Sequence, residues 1–136
     1  MGLDMYIAKA KKNSDNKWEL ADDFELLYWR KANQIRQWFV TNLGYNENAN
    51  CEFFPLEKEN IESLIEDIDN VLNAENKELM AKRVLPTSSG FFFGNTEYGE
   101  WYYDELEFTK NELEKLLDMW DDIINDSYTI GYYEWW

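Results

Sequence analysis

The segment that most restricts the fold runs from Thr109 to Asn125, TKNELEKLLDMWDDIIN. Leu113, Leu116, Leu117, Trp120 and Ile124 recur at the three- and four-residue spacing that lines one face of an α-helix. Thr109, followed three residues later by Glu112, has the pattern of a capping box and sets the expected start of this helix. A helix with one apolar face needs a second layer to bury it. The chain must therefore supply a sheet or further helices.

Both are legible. LDMYIAKAKK alternates apolar and polar residues, with Leu3, Met5 and Ile7 on one side, as in a half-buried strand. A helix is expected from Asp22 or Asp23 to Leu43, closed by Gly44, with Tyr28, Ala32, Ile35, Phe39 and Leu43 as its inner stripe. CEFFPL reads as a short strand ended by Pro55. Lys58 to Asn73 reads as a second helix, with Ile61, Leu64, Ile65, Ile68 and Leu72 inward. NAENKELMAKRV is a linker or a short helical turn, and SYTIGYYEWW a closing strand. LPTSSGFFFGNTEYGEWYYDELEF reads as a hairpin-like element: a short strand at Phe91, Phe92 and Phe93, then a second strand through EWYYDELEF. The order β-α-β-α-β-α-β implies one α+β domain over residues 1–136, a small mixed or antiparallel sheet packed with about three helices.

Charge narrows the function classes. The chain has 28 acids, 13 bases and a net charge of −15. Residues 1–50 are balanced, with seven of each sign, whereas residues 97–136 hold twelve acids and two bases. Such a field repels nucleic acid and anionic membrane and attracts basic protein surfaces, so no direct nucleic-acid or membrane binding is expected. No apolar run is long enough to span a bilayer, and no segment has the form of a signal peptide, which suggests a cytoplasmic protein.

Chemistry is narrowed too. There is no histidine and one cysteine, Cys51, so the usual general base, the usual activator of a nucleophile and the usual zinc ligand are missing. No phosphate-binding glycine motif occurs, and no metal or cofactor is expected. Carboxylate-only hydrolysis stays open, with Asp104 and Glu105, flanked by Trp101 and Tyr103, as the pair that would perform it. No catalytic residue is assigned.

Two binding surfaces remain. Glu114, Asp118, Asp122 and Asp126 follow one another at intervals of four, with Asp121 beside them. Like charges at that spacing repel, and acids near a helix C-terminus oppose its dipole, so the row is locally unfavourable. Four residues rise about 6 Å along a helix, similar to the step between phosphates on one nucleic-acid strand. This row, with Trp101 and Tyr102 as aromatic anchors, is a candidate surface for a basic protein partner. Glu59, Glu62, Glu66 and Asp69 form a second such row. The aromatics, 18% of the chain, suggest rings beyond those a core needs.

The second surface lies in YWRKANQIRQWF, where three bases sit among four aromatics. Trp29, Asn33 and Arg36 would share a helix face able to stack a base, bond its edge and hold a phosphate. With Arg30 and the turn Ser88, Ser89 and Gly90, they form a candidate pocket for a nucleotide-like small molecule. Salt bridges from these bases to the acidic half of the chain are the structural alternative.

MGLDMYI, YWRKANQIRQWF, LPTSSGFFFGNTEYGEWYYDEL and the tail YTIGYYEWW together resemble a family of small proteins encoded by phages and prophages. Where the family pattern has histidine, this chain has Arg36. The resemblance implies an accessory factor that acts on host machinery, including defence systems. It carries no known activity.

Overall fold

The computed structural model describes residues 2–90 and 93–136. Eight elements follow in order: β1 (Asp4–Lys12), β2 (Trp18–Arg30), α1 (Asn33–Leu43), β3 (Phe54–Pro55), α2 (Lys58–Leu72), α3 (Lys77–Val84), α4 (Glu100–Asn125) and β4 (Thr129–Trp135). The four strands form one antiparallel sheet in the order β2-β1-β4-β3, so the architecture is α+β.

Pairing register decides what each sheet face carries. Met5 lies opposite Trp29 and Glu134, and Ile7 opposite Leu27 and Tyr132. Residues paired across strands share a face, and all six are buried. Helices cover this face: Phe39 of α1 stacks 4.5 Å from Tyr132, and Thr109 of α4 accepts the Trp29 indole N–H at 2.7 Å. On the opposite face Tyr6 lies between Tyr28 and Tyr133, ring centroids 5.2 and 6.2 Å away, with Phe24 at 5.3 Å. Gly131 lets the short β3 close on β4, since a side chain there would meet the Phe53 ring and the Phe54 carbonyl at 2.5 Å.

The helix expected from Asp22 or Asp23 to Leu43 is two elements, β2 and α1. Lys31 separates them with φ 59°, in the left-handed region that side chains other than glycine rarely occupy. Its N–H donates to the Leu3 carbonyl at 2.7 Å, which ends the strand pairing. Within β2 the register jumps from Ala8–Glu25 to Ala10–Leu20, so residues 21–24 bulge and alternation is lost there. Gly44 does close α1, at φ 72°.

EWYYDELEF is not a strand. It forms the first turns of α4, which starts at Glu100, and Tyr102, Leu106, Thr109 and Leu113 face inward at helical spacing. Thr109 is therefore a buried mid-helix residue rather than a cap. NAENKELMAKRV holds α3, capped by the Asn76 side chain, which accepts from the Leu79 N–H at 3.1 Å. Phe93 sits in a bend, its N–H bonded to the Gly90 carbonyl. The strand expected at Phe91 and Phe92 lies outside the described residues.

Candidate functional site

α4 is 26 residues long, about 39 Å at 1.5 Å per residue. Its inner face is held by α2, whose Ile61, Leu64, Ile68 and Val71 are buried, and by the sheet. Its outer face is therefore continuous and open. Glu114, Asp118, Asp121 and Asp122 are exposed on it, and Asp126 is exposed just beyond its end. Glu100, Asp104 and Glu107 extend the same face towards the N-terminus, because all seven helical positions fall within about a third of a turn at 3.6 residues per turn. The sequence reading missed these three, having taken their stretch for a strand.

Counter-charge on the helix is sparse. Lys110 reaches Asp69 of α2 at 2.6 Å and Glu114 at 3.9 Å, and Lys115 pairs with Glu112 at 3.1 Å. Lys58 approaches Asp121 at 4.0 Å. No ion pair forms to Asp118, Asp122 or Asp126 among the described residues. Along one flank of this acidic ridge lie the exposed side chains of Trp101, Phe108 and Met119. Their spacings of seven and eleven are close to two and three helical turns, so they form a line.

Of the two aromatic anchors, Trp101 is outside and Tyr102 inside. Tyr102 is fully buried, and its hydroxyl donates to the Leu85 carbonyl at 2.6 Å. Burial raises its pKa well above the usual tyrosine range. It belongs to the core and not to a partner surface.

Trp29, Asn33 and Arg36 do not share a helix face, since Trp29 belongs to β2. All three are buried and bonded. Arg36 Nε donates to both carboxylate oxygens of Glu134, at 2.8 and 2.9 Å. Glu134 also accepts from the Tyr132 hydroxyl and the Trp136 indole. Asn33 works as a clamp: its Nδ2 donates to the carbonyls of Phe93 and Asn95, and its Oδ1 accepts from the Ser88 N–H. The expected pocket wall is interior structure. Ser88 is half-buried, and Ser89 and Gly90 are exposed.

Arg30, the remaining residue of that set, is exposed at the end of β2. With Lys31, Gly94, Asn95 and Trp101 it lines a surface cavity of about 440 Å³. Asp4, opposite Arg30 in the sheet, is bonded to the Tyr28 hydroxyl at 2.6 Å, a bond that pushes that phenol up to about 12.

Asp104 and Glu105 do not form a facing pair, because adjacent helix positions point about 100° apart. Asp104 is on the open ridge, whereas Glu105 is partly buried and desolvation raises its carboxyl to about 7. No helix among the described residues is long and apolar enough to cross a membrane. No family model, curated protein or solved structure matches the chain.

Proposed function

We propose that the protein is a non-enzymatic binding protein that occupies a basic surface of a partner protein through the ridge on α4. The observation that carries this reading is the seven exposed carboxylates on one face of a single helix, flanked by Phe108 and Met119. Concentrated charge of one sign speeds encounter with an oppositely charged surface, and apolar side chains beside it supply short-range contact. The helix keeps Asp121 and Asp122 in its last turns, although like-charge repulsion and the macrodipole both disfavour them there. A row of carboxylates about 6 Å apart suits a partner built to read phosphates. With the resemblance to phage-encoded proteins, the partner class is a host nucleic-acid-binding protein, such as a defence nuclease, which the ridge inhibits by occupation.

The test is capture of host proteins from lysate by the purified chain, compared with a variant carrying Glu114→Lys, Asp118→Lys and Asp122→Lys. Nucleic-acid-binding proteins should be retained at low salt, released as ionic strength rises and lost in the variant. Capture unchanged by both salt and charge reversal would remove the proposal.

A further inference from the structure

We propose that the cavity between Arg30, Lys31 and Trp101 binds a nucleoside phosphate, with the phosphate held by the two cations and the base laid on the indole. This goes beyond the partner-binding reading and uses residues off the acidic ridge.

The first argument is charge. In a chain of net charge −15, Arg30 and Lys31 are adjacent cations that form no ion pair among the described residues. The carboxylate across the sheet, Asp4, is taken by Tyr28. Glu100 is nearest in sequence to Trp101, but it points about 100° round the helix, along the ridge. Two unpaired donors beside one cavity suit a small anion: a guanidinium offers a fork to phosphate oxygens and an ammonium a compact charge.

The second argument is construction. Lys31 is held at φ 59°, and non-glycine residues in such strained regions concentrate at binding and catalytic sites. Gly94, at φ 82°, packs against it so closely that a side chain there would lie 3.1 Å from Lys31 Cβ. On the other side a side chain at Gly2 would meet Lys31 Cε at 3.0 Å and an Arg30 terminal nitrogen at 3.4 Å. The loop carrying Gly94 and Asn95 is fixed by the buried Asn33, which bonds the carbonyls on either side of Gly94 at 2.9 Å each. The Lys31 stem is thus braced by two glycines, and the Arg30 head group lies beside one of them.

The third argument is the apolar wall. Trp101 is 40% exposed, an unusual position for so large a ring, and it faces the same cavity. Indole is the best of the side-chain surfaces for stacking a base or a cation. The depression, about 440 Å³, is open to solvent, so a ligand would lie on the indole with one side exposed. The net charge of the whole chain disfavours a polyanion, which points to a free nucleotide rather than a nucleic-acid strand.

The test is calorimetric titration of the full chain with ADP, GDP, CDP and UDP, and with adenosine and inorganic phosphate separately. At least one nucleoside diphosphate should bind saturably, and its two halves should each bind about tenfold or more weakly. The double variant Arg30→Gln, Lys31→Gly should lose about tenfold or more for the nucleotide while leaving adenosine unchanged. Glycine accepts φ 59° without strain, so this variant should retain the wild-type melting temperature. Trp101→Ala should weaken nucleotide and adenosine alike and leave phosphate unaffected. No saturable binding across the panel, or binding indifferent to both variants, overturns the assignment. Phosphate binding as tightly as the nucleotides overturns the role of Trp101.

Discussion

Arg36 and Glu134 meet in the interior, their side chains 3% and 0% exposed, with one guanidinium N–H shared between two carboxylate oxygens. The pair ties α1 to β4. Tyr132 of β4 and Trp136, just beyond it, donate to the same carboxylate, so one buried anion is satisfied by three donors. Removing one partner from a buried pair leaves an uncompensated charge. Arg36→Met is expected to cost about 3–5 kcal/mol in urea unfolding. Glu134→Leu in addition should recover only part of it, because it strands the Tyr132 hydroxyl, while the Trp136 indole keeps the Ala49 carbonyl as an acceptor. A loss below 1 kcal/mol for Arg36→Met would show that solvent reaches the pair.

The Trp29–Thr109 bond joins β2 to α4 across the core. Thr109→Val keeps the shape but leaves a buried indole N–H without an acceptor, and should cost about 1–3 kcal/mol. Thr109→Ser should cost less, since it restores the acceptor. Equal losses in the two variants would mean that packing, not the hydrogen bond, holds this contact.

Glu105 carries a pH dependence of definite sign. Its folded pKa is raised from 4.5 to about 7 by burial. Between those values the folded chain binds more protons than the unfolded one, so stability falls as pH rises through this window. Below pH 4.5 the group contributes no such cost, and above pH 7 the cost is constant. Glu105→Gln should therefore melt higher than the wild type at pH 8, with the gap closing towards pH 4.5. A gap that does not vary with pH would place the carboxyl in water.

The ridge should trade stability for binding. Asp118→Asn with Asp122→Asn removes repulsion at intervals of four and an anion near the helix C-terminus. The gain should be a few tenths of a kcal/mol per site. Salt should stabilise the wild type more than this variant, as screening does part of the same work. If the ridge serves a partner, the stabilised variant binds it more weakly.

The elements that could be read from sequence were those with an undisturbed period. β1, α2, β4 and the second half of α4 kept theirs, and so did the acidic row. The misreadings share a cause. In β2 the bulge at residues 21–24 breaks alternation and leaves Asp22 and Asp23 looking like a cap. The stripe from Tyr28 to Leu43 then runs at helical spacing across Lys31, whose left-handed backbone separates strand from helix at no visible cost in pattern. In EWYYDELEF the rings favour a strand locally, but burial of Tyr102 and Leu106 against the core selects helix. The ligand wall failed with the helix that was to carry it. Its polar residues were spent on long-range bonds, Asn33 to the loop at 93–95 and Arg36 to Glu134, which no local spacing reveals.

The strand order β2-β1-β4-β3 has a kinetic side. β1 finds one neighbour within a few residues, through the hairpin to β2, and the other only when residues 129–135 have been made. Through most of synthesis one row of its amide and carbonyl groups faces an empty slot, and the apolar side of the sheet is a strand short. Closing that slot spans nearly the whole chain, a high contact order that slows folding and exposes a sticky edge meanwhile. The charge crowded onto α4 precedes β4 in the chain. It emerges while the gap is still open, and like charge on neighbouring unfinished chains would oppose their association.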